Sequence, residues 1–218
     1  MDLHFDGLTL ATRDGVPLMT PTTATIPPGV TALLGSNGAG KSTLLRAIVA
    51  LHPLEAGTVR LGQLDHRRDR AAFLAHAVFM PQSFTAYPDL SAREFLVYFL
   101  RLRGVPKREA RDRAAWWLEA VGLARAADQR TGVFSQGMLQ RVGFAYAMQS
   151  DAALCVLDEP FAGVDPEGRA VLTDLMFEAA RERIVLLSTH HIDEVTSRGA
   201  TLARIADRAF SLESERAA

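Results

Sequence analysis

Cysteine, lysine and asparagine are all scarce in this chain of 218 residues. Cys155 is the one cysteine, so no disulfide can form within the chain, and a reducing compartment such as the cytosol is expected. Lysine occupies only positions 41 and 107, and arginine therefore carries nearly all the positive charge. Because Asn37 is the one asparagine, the Asn-Lys-x-Asp pattern with which GTPases read guanine cannot occur.

Long apolar runs and an excess of basic charge are also missing. The net charge is -1, which gives none of the electrostatic attraction that a nucleic-acid-binding domain needs, and we expect no nucleic-acid partner. No apolar stretch approaches the roughly 20 residues that cross a bilayer, and the first ten residues do not resemble a signal peptide. The sequence therefore predicts a globular, cytoplasmic protein that reaches a membrane only through a partner.

The order of apolar and polar segments predicts an α/β fold. Residues 1 to about 30 alternate apolar and polar positions between Gly and Pro, which is typical of short antiparallel strands. Val30–Leu34 is a compact apolar strand that leads into a Gly-rich turn and a helix from Ser42 to Leu51. Two further buried strands, 153–157 and 184–187, are separated by a helical stretch near 169–181. Strands that alternate with helices predict a mostly parallel sheet covered on both faces.

The middle of the chain is predicted to be helical. Ser91-Ala-Arg-Glu94 has the form of a capping box that opens one helix, and Lys107–Val121 reads as a second. Basic residues of this region alternate with Glu109 and Asp112, as they do on a solvated helix face, so they do not favour nucleic acid. The adjacent Trp116 and Trp117 are interpreted as core or subdomain-interface residues.

A phosphate-binding loop follows the strand Val30–Leu34. The residues match G-x-x-x-x-G-K-[ST] in full: Gly35, Ser36, Asn37, Gly38, Ala39, Gly40, Lys41 and Ser42, with Thr43 next in the helix. Small residues let backbone N–H groups converge on phosphate oxygens, and the helix N-terminus and Lys41 add positive charge. The Ser42 hydroxyl is suited to a magnesium ion that neutralises the β and γ phosphates.

A second pair of functional residues follows the strand 153–157. Asp158 and Glu159 stand at the carboxyl end of this strand, where ligands of open α/β sheets collect. We expect Asp158 to hold magnesium and Glu159 to act as general base on the attacking water. Kinases, GTPases and helicases share such loops, so further residues are needed to decide the class.

Four more segments resemble the ABC ATPase family, and the resemblance covers essentially the whole chain. The family's L-S-G-G-Q signature is resembled by the stretch Phe134-Ser135-Gln136-Gly137-Met138, whose serine lies 23 positions before Asp158. Gln82 matches the Q-loop glutamine, Asp165 the D-loop aspartate and His190 the H-loop histidine, in the family's order. His191 is adjacent, but strand residues alternate in direction, so a zinc pair is not expected.

The resemblance implies a fold, two ligands and a partner chain. The fold is a P-loop NTPase core with an N-terminal antiparallel β subdomain at about 1–30 and an inserted helical subdomain at about 83–145, the rest of 1–218 being RecA-like core. ATP and Mg²⁺ are the ligands, and Ser42, Gln82 and Asp158 are the residues expected at the metal. Glu159, His190 and Gln82 are the expected catalytic residues. Two chains, identical or paralogous, would close ATP between the loop of one and residues Ser135, Gln136, Gly137 and Met138 of the other.

The chain departs from the family at three positions. Gln136 replaces a glycine of the signature and Met138 replaces its glutamine, which leaves the rate of hydrolysis open. With this signature the chain resembles the branch of ABC-2-type exporter ATPases. The usual adenine-stacking aromatic residue is not evident, and Arg13 is the residue expected to stack on the base. GTP therefore stays open as an alternative nucleotide.

Three functions compete for this pattern. The first is the motor of a separate membrane permease, an exporter by its branch, lying on the inner face of the membrane, with Phe84, Tyr87 and Pro88 exposed in the groove that receives the permease. The second is an ABC ATPase of cluster assembly, translation or repair, which would carry a second such domain or a long coiled-coil insert. The third is another P-loop class such as a GTPase.

Overall fold

The structure, a computed structural model, describes residues 1–12 and 14–213. Its strands are β1 Leu3–Ala11, β2 Pro17–Ile26, β3 Gly29–Leu34, β4 Ala56–Leu61, β5 Leu64–Asp65, β6 Ala77–Met80, β7 Leu154–Asp158, β8 Ile184–Ser188, β9 Thr201–Ala206 and β10 Ala209–Glu213. Its α-helices are α1 Lys41–Ile48, α2 Arg70–Ala75, α3 Ala92–Leu102, α4 Lys107–Ala120, α5 Gln136–Met148, α6 Pro166–Ala179 and α7 Ile192–Thr196. Short 3-10 helices cover Ala124–Ala126 and Thr131–Val133.

The chain forms two compact units. The first unit comprises residues 1–79, 152–159 and the described chain from 177 onward, and the second comprises 80–151 and 160–176. Within the described residues, no helix is both long and apolar enough to span a bilayer.

A mainly parallel sheet carries the candidate site of the first unit. Its strand order is β10-β9-β3-β8-β7-β6, with parallel pairing of β3 to β8 and β9, and of β7 to β8. Strands β7 and β8 are buried along their whole length, which explains their unbroken apolar runs. Because these strands are parallel, the carboxyl ends of β3, β7 and β8 meet at one edge, where the chain turns into its most polar segments.

An antiparallel sheet with strand order β2-β1-β4-β5 completes the first unit. Leu3 is paired with Ile26 on one side and with Leu61 on the other, and all three side chains are fully buried. They share one apolar core with Leu44 and Leu45 of α1 and with residues of β3 and β7. The mixed α/β architecture predicted from the sequence is confirmed, while the predicted subdomain bounds stay predictions.

The second unit contains the predicted capping box and corrects two predicted exposures. The Ser91 side chain accepts a hydrogen bond from Glu94 N at 3.1 Å, and Ser91 N donates to Glu94 Oε2 at 2.8 Å, so α3 begins as predicted. Phe84, predicted to be exposed, is only 9% exposed, because its ring packs where Gly143 has no side chain. Trp116, interpreted as a core or subdomain-interface residue, is not in the core: it is 54% exposed on α4, whose buried side is formed by smaller residues.

Candidate functional site

The loop between β3 and α1 lies against the parallel sheet and has room only for glycine at its start. A Cβ atom at Gly35 would lie 2.9 Å from the carbonyl oxygen of Ile205 in β9. Gly40, the residue before α1, has φ 95°, a left-handed conformation that side chains disfavour. The sequence pattern is therefore explained by the backbone path, which brings the positive end of α1 to the edge of the sheet.

Lys41 folds back over this loop. Its Nζ donates to the carbonyl oxygens of Gly35 at 2.6 Å and Ser36 at 3.1 Å. The ammonium group thus lies within the curve of the loop, paired with neutral carbonyl oxygens. An anion held by the loop would contact a full positive charge there, which makes the loop suited to phosphate.

A buried carboxylate lies beside the loop at the end of β7. Asp158 is 1% exposed, and its Oδ1 accepts hydrogen bonds from Ser42 Oγ at 3.0 Å and Ser188 Oγ at 2.7 Å. Its Oδ2 is buried and has no hydrogen-bond partner among the described residues. A buried oxygen without a partner is costly in free energy, so this atom is suited to a ligand that supplies positive charge.

Oxygen atoms of Asp158 and Ser42 match the preference of magnesium, a hard cation that usually takes one or two carboxylates and completes its shell with phosphate and water. Across the described chain, no group of three or more His, Cys, Asp or Glu side chains is placed to hold a metal ion by itself. The residues therefore fit a nucleotide-bound magnesium ion, with Ser42 and Asp158 as its protein ligands.

Ser188 belongs to this site, although the sequence reasoning did not include it. It is the last residue of β8, paired in register with Asp158 across the parallel ladder. Its side chain is 1% exposed, and its Oγ both donates to Asp158 and accepts from Glu159 N at 3.0 Å. One signal was available, since Ser188 is a polar residue that ends a run of four apolar ones.

Glu159 lies next to Asp158 in a strained conformation. Its φ is 49°, a left-handed value that costs a non-glycine residue about 1 kcal/mol. The backbone is held there because Glu159 N also donates to Ser188 O at 3.2 Å. Such strain, which persists where the surroundings enforce it, is concentrated at functional sites.

His190 faces this carboxylate. Its Nε2 lies 3.2 Å from Glu159 Oε1, and the His190 side chain is 61% exposed whereas that of Glu159 is 12% exposed. The prediction that His190 and His191 are strand residues is wrong, because β8 ends at Ser188 and His191 is the N-cap of α7. His191 N instead donates to Thr189 Oγ1 at 3.0 Å, which shapes the turn that exposes His190.

In the second unit, the signature residues open α5. Ser135 is the N-cap, and its Oγ accepts from Met138 N at 3.2 Å. Ser135 and Gln136 are exposed, so the residue that replaces the family's glycine does not crowd the interior. Gly137 has no room for a side chain, since a Cβ atom would lie 2.5 Å from Gly163 O.

Asp165 and Gln82 also lie in the second unit. Asp165 Oδ2 accepts from Gly168 N at 3.2 Å, and Oδ1 accepts from Arg141 Nη2. The Gly168 N–H, and then the Arg141 guanidinium, lower the pKa of the Asp165 carboxyl below its ordinary value. Gln82 is exposed, two residues beyond β6.

The predicted residues thus fall into two groups. The structure brings 35–43, 158, 159 and 190 to one edge of the first unit, and it places 82, 135–138 and 165 in the second. Arg13, the residue predicted to stack on the base, lies outside the described residues.

Comparisons with known proteins agree with this fold. The sequence pattern of the family described as "ABC transporter" matches residues 20–162. The "Uncharacterized ABC transporter ATP-binding protein YxlF" of Bacillus subtilis is 39% identical over 162 residues, which are 73% of this chain and 52% of that protein. Human "Retinal-specific phospholipid-transporting ATPase ABCA4" is 34% identical over 177 residues, 81% of this chain and 8% of that protein.

A solved structure described as "Structure of ATP binding subunit of ABC transporter" superposes with a TM-score of 0.89 at 24% identity, covering 99% of this chain and 90% of that one. This likeness concerns the fold. The chain spans about half the length of YxlF and a far smaller part of ABCA4.

Proposed function

Because this chain belongs to the ABC transporter family and has the fold of its ATP-binding subunits, we propose that it hydrolyses magnesium-bound ATP to drive a separate membrane permease. One observation carries the proposal: the buried Asp158 accepts a hydrogen bond from the Ser42 hydroxyl, and its second oxygen, beside the phosphate-binding loop, has no hydrogen-bond partner in the part of the chain that the structure describes. A structural carboxylate would have both oxygens paired, whereas a ligand to a nucleotide-bound cation needs one available.

The residues of the first unit divide the chemistry among them. The loop 35–40 binds phosphate through its backbone, and Lys41 exchanges the carbonyl oxygens of Gly35 and Ser36 for phosphate oxygens. Ser42 and Asp158, with Gln82 as the third expected ligand, would hold magnesium, which neutralises charge on the β and γ phosphates.

Glu159 is the general base in this proposal. Its carboxylate takes a proton from the attacking water, and the strained backbone fixes the direction in which that carboxylate points. His190 Nε2, at 3.2 Å from Glu159 Oε1, orients the carboxylate and remains exposed enough to reach the γ-phosphate. Asp158 is assigned to the metal and not to proton transfer: both serine hydroxyls donate to its Oδ1, and its Oδ2 is the oxygen proposed to bind magnesium.

A second chain completes the ATP site. Ser135 and Gly137, at the N-terminus of α5, are exposed or half-buried and would approach the γ-phosphate bound by the partner. Gln136 and Met138 flank them, so we expect closure of the dimer with an altered rate of turnover. Asp165 belongs to the segment expected to meet the partner's loop.

The permease is proposed to dock on the second unit. Tyr87 is 55% exposed and stacks on Phe99, with ring centroids 6.4 Å apart, beside the 46% exposed Tyr98. Exposed aromatic side chains on a fixed support are typical of interface anchors. A similar protein of Bacillus subtilis, 33% identical over 164 residues, is named "Linearmycin resistance ATP-binding protein LnrL", and resistance to a compound is compatible with its export. The ABC-2 type and a place on the inner face of the membrane are part of the proposal through the resemblance of the signature residues alone.

Hydrolysis is tested with Glu159→Gln in the full chain. We expect kcat to fall by about 10²–10⁴-fold while ATP still binds, because only the base is lost. The trapped ATP should hold a dimer that light scattering detects. Glu55→Gln, an exposed acid of the same unit, is the control and should behave as wild type. Wild-type turnover by Glu159→Gln, or a monomer in saturating magnesium and ATP even beside the permease, contradicts the proposal.

Docking is tested with the permease encoded beside this chain. Tyr87→Ser should abolish co-purification of the two, while Trp116→Ser, which removes an aromatic residue of matched exposure from α4, should leave it intact. Equal retention by both variants would place the interface elsewhere. The absence of any neighbouring permease gene would favour the alternative of a non-transport ABC ATPase.

A further inference from the structure

The segment Gly163–Gly168, which includes the first residues of α6, contacts one face of α5. Gly137 and Arg141 are four residues apart and therefore lie on the same side of the helix. At the first position the backbones meet, because a Cβ atom at Gly137 would lie 2.5 Å from Gly163 O. At the second, the Arg141 guanidinium donates to Asp165 Oδ1. The segment is thus fastened to α5 at two places.

The surroundings are shaped around the Arg141 guanidinium. The side chain of Arg141 is 21% exposed, and its Nη1 donates to the carbonyl oxygen of Val121 at 3.1 Å, where α4 has just ended. Two glycines leave the necessary space: a Cβ atom at Gly168 would lie 2.3 Å from Nη2, and one at Gly122 would lie 3.0 Å from Nη1. Any larger residue at Gly168 would displace the guanidinium from Asp165.

Both oxygens of Asp165 are used in this arrangement. Oδ2 accepts from Gly168 N at 3.2 Å and so caps the first turn of α6, while Oδ1 is bound by Arg141. Glu119 and Glu167 line the adjacent cavity of about 240 Å³, so the carboxylates around Arg141 outnumber it. Arg141 is the one cation among the residues that line this cavity.

Asp165 stands six positions after Glu159 in the chain. We propose that Arg141 is a positioning residue for the hydrolytic reaction. By binding Asp165 to α5, the helix capped by Ser135, it restrains residues 160–165, which directly follow the catalytic Glu159. This inference rests on the proposed function, in which Glu159 is the base. A segment tied at its far end has fewer conformations, which helps to keep Glu159 in its strained geometry.

Arginine suits this role better than lysine. Its planar group reaches two acceptors in fixed directions, the Asp165 carboxylate and the Val121 carbonyl oxygen, whereas an ammonium group satisfies them less specifically. We therefore expect Arg141→Lys to restore part of what Arg141→Met loses. The hydrogen bonds of Arg141 go to Val121 and Asp165, neither of which is among the expected nucleotide-binding residues, so ATP binding should be affected far less than turnover.

The first experiment measures kcat and KM for ATP with the full chain and its permease. Arg141→Met and Asp165→Asn should each lower kcat about tenfold, with KM changed by less than about twofold. The double variant should be no slower than either single variant, because both remove the same contact. Arg113→Met is the matched control: it removes contacts to Glu109 and Asp151 in the same unit, and its kcat should stay near wild type.

The second experiment does not depend on hydrolysis. Amide hydrogen exchange at Gly168, whose N–H is bound by Asp165, should be faster in Arg141→Met and unchanged in Arg113→Met. If Arg141→Met fails to fold, Gly168→Ala displaces the guanidinium with a smaller change.

The outcomes separate the proposed function from the role of Arg141. A wild-type chain that does not hydrolyse ATP refutes the proposed function, and hydrogen exchange at Gly168 then shows whether Arg141 restrains Asp165. If the wild type hydrolyses ATP but the Arg141 variants have the kcat of the Arg113 control, the positioning role is overturned. It is also overturned if the Arg141 variants change KM instead of kcat, or if the losses in kcat of Arg141→Met and Asp165→Asn add in the double variant.

Discussion

Ser188→Ala is the substitution that tests the buried network most directly. The change removes one oxygen atom and leaves the strand β8 intact, so its effect reports the hydrogen bonds of that oxygen. Two are lost: the bond that Ser188 donates to Asp158 Oδ1 at 2.7 Å, and the bond that it accepts from Glu159 N at 3.0 Å. The Glu159 N–H keeps the backbone oxygen of residue 188 as a partner at 3.2 Å.

The expected cost follows from the charge of the acceptor. A hydrogen bond to a charged group contributes about 1.5–3 kcal/mol to stability, against about 1 kcal/mol for a neutral pair. Solvent does not weaken it, because Asp158 and Ser188 are each 1% exposed. Since the Glu159 N–H keeps a partner, the loss comes almost wholly from Asp158, and we expect about 2 kcal/mol in the free energy of unfolding.

Urea unfolding followed by far-UV circular dichroism is the appropriate assay. Both tryptophans, 116 and 117, lie in the second unit, so tryptophan fluorescence would not report the unit that contains Ser188. With a slope of about 2 kcal/mol per molar urea, the unfolding midpoint should fall by about 1 M. Thr22→Val is the control in the same unit, because the buried Thr22 hydroxyl donates to a neutral carbonyl oxygen, that of Thr20, at 3.0 Å.

A double-mutant cycle isolates the charged contact. In an Asp158→Asn background the Ser188→Ala substitution should cost about 1 kcal/mol, because the acceptor is then neutral. Equal costs of Ser188→Ala in the two backgrounds, or a cost no greater than that of Thr22→Val, would refute the reasoning that Ser188 stabilises a buried carboxylate. The contact between Ser188 and Asp158 would then stabilise the fold through packing alone.

Three further predictions concern the rest of the first unit. Lys41→Ala should weaken ATP binding by about 1.5–3 kcal/mol in calorimetry, while Lys107→Ala, the other lysine, should leave it unchanged; equal affinities would remove the phosphate role. Gly57→Ala should lower the unfolding midpoint more than Gly199→Ala, because both have positive φ but only the former would press a Cβ atom to 2.4 Å from the backbone of β1; equal losses would contradict the clash. Burial, and then the nearby Arg67, lowers the pKa of His66 below its ordinary 6.5. The unfolded state therefore binds more protons, stability should fall as the pH drops below 6.5, and His66→Asn should flatten that dependence in pH-dependent melting.

Much of the fold was predictable because the signals are local. The loop 35–42 combines residue types that only one backbone path accommodates, and Ser91 with Glu94 forms a cap within four consecutive residues. The strands β7 and β8 were recognised by their apolar runs, since a strand buried on both faces has no polar side.

The errors came from contacts between distant residues. Phe84 was expected to be exposed as part of the groove that receives the permease, yet it packs at Gly143, fifty-nine positions later in the chain. His190 was assigned to a strand that in fact ends two residues earlier, where the ladder with β7 stops. No local pattern indicated the contact of Arg141, because its partner Asp165 is twenty-four positions away.

The sequence by itself determined the family, the phosphate-binding loop and the two acidic residues after β7, because each is a short pattern whose chemistry needs those residues at that spacing. Only the tertiary structure decided that Ser188 donates a hydrogen bond to Asp158, that one oxygen of Asp158 finds no partner within residues 1–12 and 14–213, and that Arg141 binds Asp165. These are properties of strand register and of helix faces, which bring together residues that no local pattern relates.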